Sequence, residues 1–210
     1  MADSIYKLYG RRGAGSLAPQ ILLEEIGATY ELIWISKSPA DVEVLRRVSP
    51  VAKIPVLLLP DGTVVSESAA ILIHLTNAHP ETGLAPVIGT SAHARLLQWM
   101  VFLSANVYEA VLRFYYSQRY SAAGLDAAPQ IKVQALRDWT NQLEFVHAAL
   151  SPYLLGETLS VADIYLHMLA NWYAQEEREL ASRLPKLKHH AELMRRRPST
   201  CKAEKDHNDE

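Results

Sequence analysis

The apolar positions of this chain change rhythm part-way along it. Near the start, Ile5-Tyr6-Lys7-Leu8-Tyr9 is short and rich in strand-forming residues, and the stretch from Tyr30 to Ile35 has the same character, so both are predicted as strands. Between them, Leu17 to Ile26 has helical character, and Gly27 stands where a helix can close on a left-handed residue. Ser38-Pro39-Ala40-Asp41 has the order of a second helix start: a hydroxyl cap, a proline at the first helical position and an acid in the first turn. Val56 to Leu59 and Thr63 to Val65 flank Pro60-Asp61-Gly62, whose turn chemistry predicts a hairpin. A third helix is predicted from about Glu67 to Asn77. The order βαβ followed by ββα folds as a mixed sheet with helices packed on it.

Beyond Ser91 the rhythm becomes helical throughout, as in Leu96, Leu97, Met100, Val101, Leu103 and Ala105, and again in Leu136, Trp139, Leu143, Val146 and Leu150. One helix is read from Ser91 to Tyr120. Leu159-Ser160-Val161-Ala162-Asp163-Ile164 joins a serine cap, an acid at the third helical position and apolar residues spaced to staple, which assigns Asp163 to the fold. Lys202 to Glu210 are polar enough to fray. Of the nine glycines only Gly124 and Gly156 lie beyond residue 90, so turns crowd the first part and helices fill the second. Pro80 and Pro86 bracket a connector between them. The predicted class is therefore α+β followed by all-α, with domains at 1–80 and 91–210 joined by a linker at 81–90.

Composition narrows the function. A net charge of −2 leaves no general attraction for nucleic acid or an anionic membrane, and neither partner is expected. A single cysteine, Cys201, excludes an internal disulfide framework and a multi-cysteine metal site, and fits a reducing compartment. With no signal-peptide pattern and no stretch near the roughly 18 apolar residues of a membrane span, the chain is expected to be cytoplasmic. No metal is expected: His189 and His190 adjoin and diverge on a helix instead of sharing a face. Arg195-Arg196-Arg197 reads as a solvated helix end.

Read together, Lys53-Ile54-Pro55-Val56, Glu67-Ser68-Ala69-Ala70-Ile71 and Ser160-x-x-Asp163, in a βαβ-ββα region followed by helices, resemble the glutathione transferase family. The match covers nearly the whole chain. The opening Tyr9…Gly13-Ala14-Gly15-Ser16-Leu17-Ala18-Pro19 is most similar to the bacterial beta-type branch. The resemblance implies a thioredoxin-like N-terminal domain that binds glutathione as co-substrate, a helical domain that shapes a second-substrate pocket, and a homodimer. It also implies a cis bond at Ile54-Pro55, where the backbone of Ile54 would pair with the cysteinyl part of glutathione as an added strand.

The residues bear their own reading beside this one. Pro55 stands at a strand's first position, where a missing N–H does no harm. Glu67 and Ser68 lie at a helix start, whose unpaired N–H groups suit a carboxylate; Ser68 would take the γ-glutamyl carboxylate and Glu67 the ammonium, or Ser66 or Ser68 would simply cap the helix and Glu67 compensate its dipole. Lys53 is a candidate for a glutathione carboxylate. In the beta-type branch the residue matching Gly15 is a cysteine, so a protein–glutathione mixed disulfide is unavailable here. Ser16 is the leading candidate to hold the glutathione thiolate, with Tyr9 as the alternative and the neighbouring backbone amides as a third source of donors. Lowering a thiol's pKa by two units corresponds to about 2.7 kcal/mol, within reach of a helix terminus and one or two charge-assisted hydrogen bonds. Arg11, Tyr108, Tyr115 and Trp172 are the second-substrate candidates; aromatic stripes of this kind also occur as plain core. The expected activity is attack by the activated thiol on an electrophilic, mostly apolar small molecule. The alternatives are glutathione-dependent isomerisation or ether cleavage, and a binding or regulatory protein without catalysis.

Overall fold

Four strands form one sheet in the order β2-β1-β3-β4: β1 Tyr6–Gly10, β2 Tyr30–Trp34, β3 Val56–Leu58 and β4 Val64–Ser66. The coordinates are a computed structural model describing residues 5–176 and 180–208, with side chains of 174–181 excepted. β1 runs parallel to β2 and antiparallel to β3, and β3 pairs antiparallel with β4. Helix α1 (Leu17–Glu25) connects β1 to β2, α2 (Pro39–Val48) connects β2 to β3, and α3 (Ser68–Ala78) follows β4.

Local chemistry explains these boundaries. α1 closes on Gly27 at φ 66°, with the amide of Ala28 donating to the Leu23 carbonyl and that of Gly27 to the Glu24 carbonyl, the paired bonds of a Schellman ending. Ser38 caps α2 by accepting from the Asp41 amide at 3.2 Å. In the hairpin, Leu59 donates to Thr63 at 2.8 Å while Gly62 sits at φ 88°.

Strand alternation divides the core. Tyr9 and Val56 are register partners and pack with Ile35 and Leu45 on the α2 side of the sheet. Leu8 and Leu57, the adjacent pair, therefore point to the opposite face, where fully buried Ile21, Leu22, Ile71, Leu72 and Leu75 from α1 and α3 cover them. Each fully buried aliphatic side chain contributes about 1.5–3 kcal/mol.

The second part of the chain is helical: α4 (Ser91–Phe102), α5 (Glu109–Tyr115), α6 (Ala128–Ala149), α7 (Val161–Glu176), α8 (Leu180–Arg183), α9 (Pro185–Arg195) and α10 (Pro198–Asn208). The single helix expected from Ser91 to Tyr120 is interrupted. Leu103–Tyr108 is a π-helical turn, and Tyr116 leaves the helical region at φ −126° and ψ 36°. Apolar periodicity cannot register such a widened turn, because Leu103 and Val107 within it remain buried at the spacing of an ordinary helix.

Two units emerge, one of residues up to Ala85 together with Leu193 onward, the other Pro86–Glu192. The tail is thus grouped with the sheet, whereas the sequence reads it as the end of the helical region. The fraying expected from Lys202 onward is corrected here. α10 runs to Asn208, buries Ser199, Thr200, Ala203 and His207, and packs along α1; Asp209 and Glu210 lie outside the described residues. Arg197 is likewise engaged, paired with half-buried Glu25 of α1.

In the second unit Asp163 is a fully buried knot at the start of α7. Its carboxylate accepts from the amides of Leu154 (2.8 Å) and Ser160 (2.9 Å) and from the Ser160 hydroxyl (2.7 Å), and meets Nε2 of equally buried His190 at 3.2 Å. The Ser160 hydroxyl donates to the acid instead of accepting from a helix amide.

Candidate functional site

The sheet register brings the predicted first-domain residues to one rim. Gly10 pairs with Trp34, Tyr9 with Val56, and Val56 with Ser66. The turn after β1, the exit of β2, the entry to β3 and the exit of β4 therefore share one end of the sheet. On that end stand Arg11 to Ser16, Ile35 and Ser36, Ile54 and Pro55, and Glu67 and Ser68. The Ile54–Pro55 bond is cis, the form the resemblance implies. Among the described residues no hydrogen bond reaches the backbone N–H or C=O of Ile54. The two non-glycine residues at positive φ among the described residues also flank this end, Ala52 at 50° and Glu67 at 70°. Such conformations cost of order 1–3 kcal/mol and concentrate at functional sites.

Two helices begin here, α1 and α3, and neither has a side-chain cap. In α3 the first amide within the helix's own ladder is that of Ile71, bonded to the Glu67 carbonyl at 3.0 Å. The Glu67 side chain is exposed and Ser68 is buried, so acid and hydroxyl face different surroundings. In α1 the Leu17 amide bonds the Ala14 carbonyl and the Gln20 amide bonds the Ser16 carbonyl. Gly15 and Ser16 are buried, yet among the described residues no hydrogen bond takes up their amides. Amides left without a partner at a helix start, with the helix dipole behind them, suit an anion.

The turn from Gly10 to Ser16 is closed by Ser16 itself. Its hydroxyl donates to the Arg11 carbonyl and accepts from the Arg11 amide, both at 3.1 Å, and the residue is fully buried. A Cβ at residue 10 would lie 2.6 Å from the Ser16 oxygen, so the turn requires glycine there. Ser16 therefore acts in this structure as a lock on the turn, its hydroxyl engaged on both sides. Tyr9, the alternative hydroxyl, has its ring in the core beneath α2. Arg11 is drawn inward as well, its guanidinium donating to the carbonyls of Ile35 and Ser36 at 3.0 Å each. Lys53 is exposed at the entry to β3.

In the second unit the structure brings Tyr108 and Trp172 together with ring centroids 5.5 Å apart, Tyr165 closing behind Tyr108 at 6.4 Å. Tyr108 ends the π-helical turn. Tyr115 stands apart from that pair, against Phe114 at 5.1 Å and Trp139 at 6.5 Å.

The sequence reading missed the contribution of α10. Nδ1 of His207 accepts the Gly13 amide at 3.1 Å, within the turn just described. Gln20 donates to Asp206 at 2.7 Å, Lys202 meets Glu24 at 2.6 Å, and Arg197 and Ser199 both bind Glu25. Burial works against the Glu25 carboxylate, yet the hydrogen bonds from Arg197 and Ser199 and the guanidinium charge hold its pKa below the usual range. Burial, aided by the Arg12 guanidinium, pushes the His207 pKa down to about 4. No spacing rule connects residues 13 and 207. The only local signal was a proline, Pro198, at the N-terminal position of a further helix.

Known proteins share both domains. Residues 16–78 match the glutathione S-transferase N-terminal domain and residues 102–198 its C-terminal domain. The chain is 30% identical to a bacterial GST, BphK, solved as a ternary complex, covering 97% of this chain and 100% of that one at a TM-score of 0.83. A glutathione transferase homologue from Sulfitobacter with bound glutathione shares the fold at a TM-score of 0.88 and 24% identity, over 97% of this chain and 98% of that one. GstA, a glutathione S-transferase of Escherichia coli O157:H7, is 25% identical over 171 residues, 79% of this chain and 81% of that protein. With both domains matched in order and the full-length likeness to BphK, the chain belongs to the glutathione transferase family.

Proposed function

We propose that this chain is a cytoplasmic, homodimeric glutathione transferase that ionises the thiol of glutathione and directs it at an electrophilic, mostly apolar small molecule, as in detoxification. The observation that carries the reading is the gathering, on one rim of the sheet, of an unpaired Ile54 backbone and two helix starts without side-chain caps.

In this reading the cysteinyl backbone of glutathione pairs with the N–H and C=O of Ile54 as a short added strand, beside Pro55. The γ-glutamyl carboxylate sits at the start of α3 with Ser68, and Glu67 attracts the ammonium. Lys53 meets a remaining carboxylate. The sulfur lies at the start of α1, where the amides of Gly15 and Ser16 stabilise the thiolate while the Ser16 hydroxyl holds the turn in shape. The thiol proton leaves to solvent. The sulfur lone pair then forms a bond to the electrophilic carbon, and the leaving group departs with its electrons. Tyr108 and Trp172 contact the electrophile, with Tyr115 and Arg11 as further second-substrate residues.

Calorimetric titration with glutathione tests the reading: heat of binding is expected, and its absence at millimolar ligand overturns both the transferase and any isomerase or ether-cleaving variant. Given binding, an ultraviolet thiolate band near neutral pH is expected; in Ser16→Ala, which removes the lock on the turn, it weakens, and an unchanged band would show that the amides hold their aim without the hydroxyl. A second reading, a glutathione-binding protein without catalysis, is favoured by two observations: the chain's only cysteine is Cys201, and the Ser16 hydroxyl is engaged with Arg11. Bound glutathione whose thiol stays protonated would select it.

A further inference from the structure

His207 is buried, belongs to the last turn of α10, and reaches a turn 194 residues earlier in the chain. Its bond to Gly13 has a definite polarity. An amide can only donate, so Nδ1 carries no proton; the ring is neutral and its single proton rests on Nε2. Nε2 is buried and, among the described residues, has no hydrogen-bond partner. The ring thus keeps one unsatisfied nitrogen while the other engages Gly13. The ring is also fixed from the side, edge-on to Trp34 at 5.0 Å and 83°. Trp34 in turn lies under the guanidinium of Arg12, the residue before Gly13, at 5.0 Å. Loop, strand and tail therefore meet at a single imidazole.

A plain packing role requires none of this polarity, since a phenyl ring would fill the same space and leave no buried nitrogen. We propose that His207 is the positioning residue of the sulfur-side turn: its neutral imidazole holds the Gly13 amide and thereby aims the amides of Gly15 and Ser16 at the sulfur of glutathione. The inference rests on the reading of Gly15 and Ser16 as the thiolate donors. It adds a specific requirement, an acceptor at the position of Nδ1. The remaining contacts of α10 with α1, through Gln20, Glu24 and Glu25, hold the tail near enough for that acceptor to reach.

The test uses the full chain and two variants. His207→Phe keeps a ring and removes the acceptor; His207→Asn places Oδ1 close to where Nδ1 stood. Three quantities are read: hydrogen exchange of the Gly13 amide in the free protein, glutathione affinity by calorimetry, and the pKa of bound glutathione from thiolate absorbance. His207→Phe is expected to speed Gly13 exchange at least tenfold, weaken glutathione about fivefold and raise the bound thiol pKa by about one unit, as removal of an aimed donor does. His207→Asn is expected to recover most of each change. The proposal is overturned if the phenylalanine variant melts lower yet binds glutathione with unchanged affinity and thiol pKa, or if asparagine gives no recovery. In the unaltered protein, nitrogen NMR should show the Nε2-protonated neutral ring, and the opposite tautomer would overturn the proposal even if neither variant folds. Absence of glutathione binding by the unaltered chain is a separate outcome, which removes the transferase reading and this inference with it.

Discussion

A serine and an acid meet at a helix start twice in this molecule, and the fold treats the two pairs in opposite ways. At the start of α7, Asp163 and Ser160 are turned inward, and the carboxylate accepts from Leu154 and from the amide and hydroxyl of Ser160 while meeting His190. At the start of α3, Glu67 points outward from a left-handed backbone and gives the helix no cap. The difference separates stability from function. A buried network around one carboxylate specifies the fold, whereas a start on a strained residue without a side-chain cap adds no such network.

The comparison breaks most visibly at Asp163. Replacing it with alanine removes the acceptor for three donors and leaves buried His190 unpaired, so a loss of roughly 3–5 kcal/mol is expected in urea unfolding, with glutathione affinity unchanged in whatever fraction stays folded. A loss under about 1 kcal/mol would make that network ornamental.

Acid should loosen the tail next. His207 takes up a second ring proton below about pH 4 when folded and below about 6.5 when unfolded. Between those values the unfolded chain binds more protons, so stability rises with pH there; it is fully present above pH 6.5 and is lost as pH falls toward 4. The group is worth roughly 3 kcal/mol over that window, and His207→Phe should flatten the stability profile by that amount. Glu25, whose pKa is held low in the fold, acts in the same direction at lower pH.

Smaller effects should appear on the rim. Gly10→Ala presses a methyl group onto Ser16 and is expected to destabilise by about 1–3 kcal/mol while weakening glutathione binding, because the turn opens. Glu67→Gly relieves the positive φ and should stabilise the chain by about 1 kcal/mol while glutathione binds more weakly. That opposition, a more stable protein and a poorer site, has no counterpart at Asp163. If Glu67→Gly weakened both, the contrast between the two pairs would lose its basis.

Much of this was legible in the sequence, and the reason is local. Gly27, Ser38-Pro39 and Pro60-Asp61-Gly62 announce their turns because a left-handed φ, a cap or a hairpin depends on a few neighbouring residues. The rim candidates were legible only through the resemblance to the family's motifs, and the sheet register is what gathers them at one end. Ser16 was identified by its hydroxyl, but its partners were not, since the turn that directs the hydroxyl back onto Arg11 depends on Gly10. The π-helical turn before Tyr108 was hidden by intact apolar spacing, and the final helix by its polarity.

Propensity and capping, which act over a few residues, settled the elements and their order, while the candidate chemistry came from the family's motifs. Tertiary structure alone decided that α10 lies on α1, that a histidine near the end of the chain holds the turn after the first strand, and that Tyr9 serves the core. These depend on contacts between residues far apart in the chain. Burial then fixed the outcome, keeping His207 neutral and holding Asp163 against Leu154, Ser160 and His190.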